Sequence, residues 1–200
     1  MIQPIVLAAG LGRRMNASKS LLSIHGEPAL SVILQTLGEA GLSDPIVVLG
    51  HDLEAVRAAV PLAGCTVVHN AHPETGMGDS LAYGLDARFD SAAGVLVLHV
   101  DMPFVRASTV RAIVRAAADG AALAAPVVEG IRGFPVYAAR RHIPGLRSTL
   151  HGDRGGRAYL ADHADELVLV PMDDRGAVFD LDHPEDLSAW KGERLCASNG

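Results

Sequence analysis

The chain has 200 residues, of which 49% are hydrophobic and 20% are charged. This composition is typical of a globular chain with one sizeable core, and it excludes a disordered chain. The 17 basic and 23 acidic residues give a net charge of -6. That charge argues against a general nucleic-acid-binding protein, because such a protein needs a basic surface. The length predicts a single domain, residues 1–200.

The N-terminal residues, the apolar runs and the cysteine count all favour a cytoplasmic protein. The first apolar run is interrupted by Pro4 and ends at Gly10 without a preceding basic region, so it does not resemble a secretory signal. No window approaches the roughly 20 apolar residues of a membrane span. Cys65 and Cys196 are too few for a disulfide framework or a thiolate zinc cluster. We therefore expect a cytoplasmic protein without membrane partners.

In the first half, short apolar runs of strand length alternate with segments that carry apolar residues at helical spacing. The predicted strands are residues 5–8, 46–49, 66–69 and 95–98. The predicted helices are residues 28–40, 53–60, 80–87 and 105–118. Continuous apolar strands joined by helices are typical of βαβ units. They predict an α/β fold with a doubly wound, Rossmann-like, mostly parallel sheet and helices on both faces.

Beyond about residue 119 the alternation is less regular. Strands are predicted at residues 123–128, 133–137 and 167–170, and helices at residues 155–163 and 184–190. We expect this half to form a sub-lobe that covers the carboxyl edge of the sheet, where open α/β sheets bind their ligands.

A glycine-rich segment, Leu-Ala-Ala-Gly-Leu-Gly-Arg-Arg-Met at residues 7–15, extends from the first predicted strand. Gly10 and Gly12 allow a loop that directs several N–H groups at one anion, and Arg14 and Lys19 add positive charge. The segment therefore fits a triphosphate, although it matches neither the dinucleotide fingerprint nor the P-loop. The alternative interpretation is a tight turn with a basic surface cluster.

Residues 7–22, followed by Gly26-Glu-Pro28, resemble the signature of the nucleotidyltransferases that make activated cofactors and sugars. The resemblance is closest to the molybdenum-cofactor branch, the molybdopterin cytidylyltransferases. Further blocks resemble this branch in the same order, at residues 70–80, 99–103, 133–135, 152–157 and 180–187. The resemblance covers almost the whole chain. It implies the nucleotide-diphospho-sugar transferase fold, with residues 1–118 as the nucleotide-binding half and residues 119–200 as the acceptor-binding half.

The resemblance also implies roles for individual residues. It makes Arg14, Lys19 and Asp101 the catalytic candidates. The implied nucleotide-binding residues are Leu7, Ala8, Ala9, Gly10, Gly12, Arg14, Lys19, Asn70, Gly76, Met77, Gly78 and Ser80. The implied acceptor-binding residues are Gly133, Pro135, Gly152, Asp153, Arg154 and Arg157.

A magnesium site is predicted from carboxylates near the carboxyl ends of strands. Asp101 closely follows the strand predicted at residues 95–98 and should point into the ligand crevice. Mg²⁺ binds one or two protein carboxylates together with substrate phosphates. The resemblance implies a second ligand from Asp180-Leu-Asp182, and both aspartates are candidates because alternate residues of a strand share a face. The competing interpretation is that one of them caps the helix predicted from Pro184.

These expectations combine into one predicted activity, the transfer of CMP from CTP to the phosphate of the molybdopterin cofactor, with Mg²⁺ bound and pyrophosphate released. Ala9 favours CTP because the family pairs alanine at this place with cytidine, and Ser80 is a candidate for the edge of the base. A molybdoenzyme or its chaperone would be the downstream partner. Phe134 replaces a common histidine of the family and His183 a common threonine, and both changes concern the acceptor more than the nucleotide.

Three alternatives remain at this point. The first is a guanylyltransferase of the same cofactor, and the second is a nucleotidyltransferase for a sugar or polyol phosphate. The third is a non-catalytic nucleotide-binding partner of molybdoenzymes. Lys19, Arg14 and Asp101 together speak against the third alternative, because a scaffold needs none of them.

Overall fold

The computed structural model describes residues 1–10, 18–87, 92–152 and 155–190. In these ranges no helix is both long enough and apolar enough to cross a membrane. The strands are β1 (Ile2–Ala8), β2 (Ser23–Ile24), β3 (Glu27–Pro28), β4 (Ile46–Leu49), β5 (Thr66–His69), β6 (Gly94–His99), β7 (Leu123–Val128), β8 (Ile131–Arg132), β9 (Val136–Ala139) and β10 (Leu167–Pro171). The α-helices are α1 (Ala29–Glu39), α2 (Leu53–Ala59), α3 (Met77–Asp86), α4 (Ala107–Ala118), α5 (Ile143–Thr149), α6 (Arg157–Asp162) and α7 (Pro184–Ala189).

Seven of these strands form the main path of one sheet, in the order β10-β7-β9-β6-β1-β4-β5, and β8 pairs with β7 beside that path. The pairs β1–β4, β1–β6, β4–β5 and β7–β10 are parallel. Strand β9 runs antiparallel to both of its neighbours, β6 and β7. The sheet is therefore mostly parallel, and two of its strands, β8 and β9, are reversed.

The side chains of β1 show how the sheet buries both of its faces. Val6 and Ala8 belong to the apolar cluster packed with α1 and α4, whereas Ile5 and Leu7 belong to the cluster packed with α3. Successive residues of a strand point to opposite faces, so an uninterrupted apolar run is what a two-sided burial requires. The predicted α/β fold, with helices on both faces, is confirmed.

Most predicted elements are present, with differences at their ends. The strands at residues 46–49, 66–69 and 123–128 match their predicted bounds, whereas the helix expected at residues 80–87 begins at Met77. The strand expected at residues 133–137 begins only at Val136. Sequence patterns did not predict α5 or the short β2–β3 hairpin.

The second half of the chain does more than cover an edge. Strands β7, β9 and β10 extend the same sheet, with β9 hydrogen-bonded directly to β6. The alternation of βαβ units did not reveal this, because antiparallel β9 follows a short turn and no helix precedes it. The assignment of nucleotide binding to residues 1–118 and acceptor binding to residues 119–200 stays a prediction.

A buried aspartate attaches the C-terminal segment to the rest of the fold. Asp174 is 2% exposed, and its carboxylate accepts hydrogen bonds from the backbone N–H of Arg106 at 2.9 Å and of Gly176 at 3.1 Å. The Thr109 hydroxyl donates a third bond to it. These bonds join the 3-10 helix Arg175–Val178 to the start of α4, and so they set the path of the residues that follow.

We predict that Asp174→Asn lowers the free energy of unfolding by about 2–3 kcal/mol, because hydrogen bonds to a buried charge are worth more than neutral ones. Urea unfolding followed by circular dichroism measures this change. Asp173→Asn is the matched control, since Asp173 is exposed and adjacent. Equal stability of the two variants would contradict the role given to Asp174.

Candidate active site

The end of β1 and the end of β6 bring the key residues to one edge of the sheet. The two strands are parallel neighbours in which Leu7 lies opposite His99. Segments that leave parallel strands at their carboxyl ends therefore start side by side. Lys19 opens the 3-10 helix Lys19–Leu21, and the buried Ser20 hydroxyl holds this helix to β1 by donating to the Ala8 carbonyl at 3.2 Å.

Lys19 contacts two of the three aspartates that the sequence singled out. Its Nζ lies 2.8 Å from Asp182 Oδ1 and 3.3 Å from Asp101 Oδ2. Asp101 and Asp182 are 82 and 163 positions from Lys19 in the chain, so only the fold brings them together with it. The structure thus places Lys19 beside two of the predicted metal ligands.

The segment that carries Asp180 and Asp182 is anchored beside Asp101. The backbone N–H of Leu181 donates to the Asp101 carbonyl at 2.8 Å, and the Leu181 side chain is 1% exposed. Burial of this leucine places its two acidic neighbours at the mouth of the site.

Neither of these aspartates caps helix α7. The N-cap residue is His183, and the Asp186 carboxylate accepts the backbone N–H groups of Asp182 at 2.9 Å and His183 at 2.7 Å. The interpretation of Asp180 or Asp182 as a helix cap is therefore wrong, since a later residue of the helix supplies the carboxylate. Both side chains stay available to the acidic cluster, defined here as Asp101, Asp180 and Asp182.

The acidic cluster concentrates negative charge. Burial raises the pKa of Asp180 to about 6, and the charges of Asp101 and Asp182 contribute to the same shift. Asp180 is exposed to solvent on one side and forms part of a pocket wall on the other. Partial burial acts to lower the pKa of Lys19, but Asp101 and Asp182 outweigh it and raise the pKa above its usual value.

The residues present fit a hard divalent cation such as Mg²⁺. Three carboxylates face a single ammonium group from Lys19, and Asp101 Oδ1 is buried without a hydrogen bond to any described residue. Magnesium prefers oxygen ligands of this kind and completes its coordination with water and phosphate oxygens. An acidic set with an unpaired oxygen has the charge and the donor atoms to bind such an ion.

We predict that Asp180→Asn stabilises the metal-free protein above pH 6 by about 1 kcal/mol after screening by solvent. The folded-state pKa of Asp180, about 6, lies above its ordinary value of 3.8. The folded chain therefore binds this proton more tightly, and it loses stability as the pH rises through that interval. The gain should be small at pH 4, where the carboxyl group is protonated in the folded state and close to half protonated in the unfolded state.

Thermal unfolding in EDTA at pH 4 and pH 7.5 measures this effect. Asp173→Asn again serves as the control, because Asp173 is an exposed aspartate outside the acidic cluster. A lower Tm for Asp180→Asn than for the parent at pH 7.5 would show that the cluster does not strain the fold.

A pocket of about 420 Å³ adjoins the acidic cluster on the side of the second half of the chain. Asp101 and Asp180 form part of its wall, and apolar side chains form much of the remainder. Its lining residues are Leu7, Met77, Leu81, Val97, His99, Asp101, Met102, Arg132, Gly133, Phe134, Val136, Ala138, Leu146, Gly155, Gly156, Arg157, Leu160 and Asp180. Pockets of this size, largely apolar with a few converging polar groups, are typical of small-molecule sites.

Two arginines face this pocket. Burial together with the positive charge of Arg157 lowers the pKa of Arg132, so the two guanidinium groups are close enough to interact. Neither makes an ion pair with a carboxylate in the ranges that the structure describes. A pair of unneutralised arginines beside a largely apolar wall is suited to an anionic group on a flat ligand.

The segment that begins α3 joins the two halves of the site. The N–H of Gly78 donates to the carbonyl of Gly152 at 2.8 Å. One of these residues was predicted to bind the nucleotide and the other the acceptor. The direct bond between them means that the two predicted binding segments form one continuous wall.

Ser80 has a different place from the one predicted. It is 6% exposed, and its hydroxyl donates to the Gly76 carbonyl at 3.3 Å and accepts from the Asn70 amide at 3.1 Å. With these bonds made inside the protein, Ser80 holds the turn before α3. Its bond to the edge of a base stays a prediction, and Asn70 is likewise fully buried.

The remaining candidates lie as follows. Leu7 and Met77, predicted for the nucleotide, line the same pocket as Gly133 and Arg157, predicted for the acceptor. Ala8, Ala9 and Pro135 are buried, and Gly10 is exposed beyond the end of β1. Gly12, Arg14, Asp153 and Arg154 lie outside the described residues.

Sequence reasoning did not assign a role to Arg132 or His99. Arg132 directly precedes the Gly-Phe-Pro block, so its position beside a recognised motif was the available signal.

His99 is buried under the pocket, where its ring meets the edge of Phe134 at a centroid distance of 4.3 Å. Burial lowers the pKa of His99, and Lys19 adds to this effect. The replacement of the family histidine by Phe134 thus gives this wall an aromatic contact.

Comparison with known proteins is consistent with this site. The bifunctional protein GlmU of Burkholderia multivorans is 38% identical over 118 residues, covering 58% of this chain and 26% of that protein. The chain thus matches about a quarter of the length of this relative. Nicotine blue oxidoreductase of Paenarthrobacter nicotinovorans is 29% identical over 191 residues, covering 92% of this chain and 93% of that protein.

Solved structures extend the similarity to the fold. Rv0371c of Mycobacterium tuberculosis H37Rv superposes with a TM-score of 0.78 at 26% identity, covering 94% of this chain and 96% of the other. One structure of that protein is a complex with manganese. Molybdopterin-guanine dinucleotide biosynthesis protein A of Archaeoglobus fulgidus has a TM-score of 0.65 at 17% identity, covering 94% and 96% of the two chains, and so shares the fold.

The family assignment rests on the sequence as a whole. Residues 4–167 match the MobA-like NTP transferase domain, which is most of the chain and includes β1, Lys19, Asp101 and both pocket arginines. The resemblance inferred from separate blocks is thereby confirmed at the level of the family. The chain belongs to the MobA-like NTP transferase family.

Proposed function

We propose that the protein is a Mg²⁺-dependent nucleotidyltransferase that transfers a nucleoside monophosphate to a phosphate-bearing acceptor and releases pyrophosphate. The observation that carries this proposal is the contact of Lys19 with Asp101 and Asp182 at the mouth of a pocket that contains two arginines. Family membership supports it independently.

The reaction needs charge stabilisation and orientation more than acid–base catalysis. An oxygen of the acceptor phosphate forms a bond to the α-phosphorus, the bond from that phosphorus to the β-bridging oxygen breaks, and pyrophosphate takes the electron pair. A phosphate monoester has a second pKa of about 6, so the nucleophile is already ionised near neutral pH and no side-chain base is required. Lys19 and Arg14 are the cations we assign to the triphosphate.

The acidic cluster is assigned to the metal. Asp101, with Asp180 and Asp182, would hold Mg²⁺ by oxygen ligands, and the ion when bound would supply positive charge to the phosphates. The manganese complex of Rv0371c is consistent with a divalent ion at this kind of site.

We assign the pocket to the acceptor, and we propose a molybdopterin-type molecule with a terminal phosphate. Its flat ring system would lie against the apolar wall that includes Phe134, and Arg132 and Arg157 would bind anionic groups through paired N–H donors. In this proposal the product passes to a molybdoenzyme or its chaperone in the cytoplasm. A sugar or polyol phosphate is the alternative acceptor, and the apolar character of the wall favours the pterin.

CTP is the nucleotide that we propose, on the strength of Ala9 in the Leu-Ala-Ala-Gly motif. The Ala9 side chain is 4% exposed and packs in the core, so the preference comes from family resemblance and not from an observed contact. A panel of CTP, GTP, UTP and ATP with Mg²⁺ in a thermal-shift assay ranks the candidates. The largest shift with GTP would overturn CTP in favour of guanylyl transfer.

Pyrophosphate release with CTP, Mg²⁺ and a molybdopterin donor tests the activity itself.

A redox activity is the second candidate, because the similarity to Nicotine blue oxidoreductase covers 92% of this chain. Oxidation of NADH or NADPH without pyrophosphate release would reject the transferase. Nucleotide binding that is independent of Mg²⁺, with no turnover, would favour the non-catalytic alternative.

We predict that Asp101→Asn lowers kcat for pyrophosphate release by at least about 100-fold, since it removes a charge that stabilises the reacting groups. Steady-state kinetics at saturating Mg²⁺ measures the change, and circular dichroism checks the fold. Asp119→Asn, at the exposed end of α4, is the control and should retain parental activity. An Asp101→Asn variant with parental kcat would reject the metal-binding role.

We predict that Arg132→Gln raises KM for the acceptor about 10- to 100-fold and leaves the affinity for the nucleotide unchanged. The reason is the loss of charge-assisted hydrogen bonds to an acceptor anion, a change worth about 1.5–3 kcal/mol. Arg115→Gln, on the exposed side of α4, is the matched control. A rise in KM for the nucleotide alone would contradict the assignment of Arg132 to the acceptor, because Arg132 would then bind the nucleotide.

A further inference from the structure

A second cluster of ligating side chains lies outside the catalytic pocket. His142, His163 and Glu166 each offer one ligand atom, and these atoms lie within 4.8 Å of one another. His142 is 4% exposed, and its Nε2 is buried without a hydrogen bond to any residue that the structure describes. Glu166 Oε2 lies 3.4 Å from that nitrogen. A buried imidazole nitrogen directed at a carboxylate and a second imidazole therefore requires an explanation.

Tyr159 orients both histidines from outside the cluster. Its main-chain carbonyl lies 2.9 Å from His163 Nδ1, and its hydroxyl lies 3.0 Å from His142 Nδ1. A carbonyl only accepts hydrogen bonds, so His163 Nδ1 carries the proton and the Nε2 of the neutral ring keeps its lone pair. The tyrosine hydroxyl can accept from His142 Nδ1 in the same way. Outer partners of this kind, one for each imidazole, are typical of metal-bound histidines.

We propose that His142, His163 and Glu166 form a Zn²⁺ site that is separate from the acidic cluster. Two imidazole nitrogens and one carboxylate are a ligand set that zinc binds in proteins, with the fourth position left to water. Zinc–ligand bonds near 2.0–2.2 Å place tetrahedral ligand atoms about 3.4 Å apart. The present separations, all within 4.8 Å, would close by side-chain shifts of about 1 Å.

The site would join two segments that border the acceptor pocket. His142 ends the 3-10 helix Arg140–His142, and His163 follows helix α6, whose first residue is the pocket arginine Arg157. Arg141 donates to the same oxygen, Glu166 Oε2, at 2.9 Å, and a carboxylate oxygen has a second lone pair that a metal can use. A bound ion would therefore clamp α6 to the end of β9 and stabilise that wall.

The chain provides a matched control of similar composition. His51, His72 and Glu74 form an exposed arrangement in which two histidines contact one carboxylate, at 3.4 and 3.2 Å. Their side chains are 59%, 69% and 44% exposed. This surface set lacks a buried nitrogen without a hydrogen bond. Zinc that binds histidines only because they are accessible should bind this set at least as tightly as the buried one.

Isothermal titration of the EDTA-treated, desalted full-length protein with ZnCl₂ tests the proposal. We expect one tight site whose affinity falls at least tenfold in His163→Asn and in Glu166→Gln. The His163→Asn change keeps an N–H donor for the Tyr159 carbonyl, and it removes the metal-binding nitrogen together with the ring that stacks on Tyr159. His72→Gln should bind zinc like the parent. Zinc should also raise the Tm of the parent and of His72→Gln but not that of His163→Asn.

Asp101→Asn separates this proposal from the proposed catalytic function. Retention of the tight zinc site in Asp101→Asn supports a separate site, whatever the outcome of the pyrophosphate assay. Equal zinc affinity in the parent and in His163→Asn overturns the proposal. Loss of the tight site in His72→Gln or in Asp101→Asn also overturns it, because the zinc would then be bound at the exposed set or at the acidic cluster.

Discussion

The gathering of three carboxylates around one ammonium group is the constraint on which the rest of this structure depends. Burial and, after it, the negative charges of Asp101 and Asp182 raise the pKa of Asp180, and this shift is the sign that the charged form destabilises the fold. The fold tolerates it because Lys19 is placed against Asp101 and Asp182. A site that strains the fold in its free state is well suited to bind a cation, because a positive charge offsets the repulsion among the carboxylates.

Buried features that take no part in chemistry hold this arrangement in place. Ser20 ties the Lys19 segment to the end of β1, Leu181 packs beside Asp101, and Asp174 fastens the preceding 3-10 helix to α4. Each joins residues that are distant in the chain, and together they fix the backbone on which the charged residues lie. The charged residues are consequently exposed enough to meet a substrate while their backbones stay anchored.

The reversed strand β9 explains how one sheet supplies both binding regions. It pairs with β6, whose end leads to Asp101, and the turn before it carries Gly133 and Phe134 into the pocket. The bond between Gly78 and Gly152 closes the opposite wall. The acceptor region is therefore a continuation of the sheet, and it shares its wall with residues that belong to the first half of the chain.

The sequence by itself determined the βαβ alternation, the two-sided burial of β1, β4 and β6, and the candidates Lys19, Asp101, Asp180 and Asp182. Periodicity and motif spacing are local properties, so they can be read along the chain. Only the tertiary structure decided that Ser80 turns inward, that His183 and not an aspartate caps α7, and that Arg132 and His99 line the pocket. These outcomes depend on contacts between residues far apart in the chain, which no local pattern encodes.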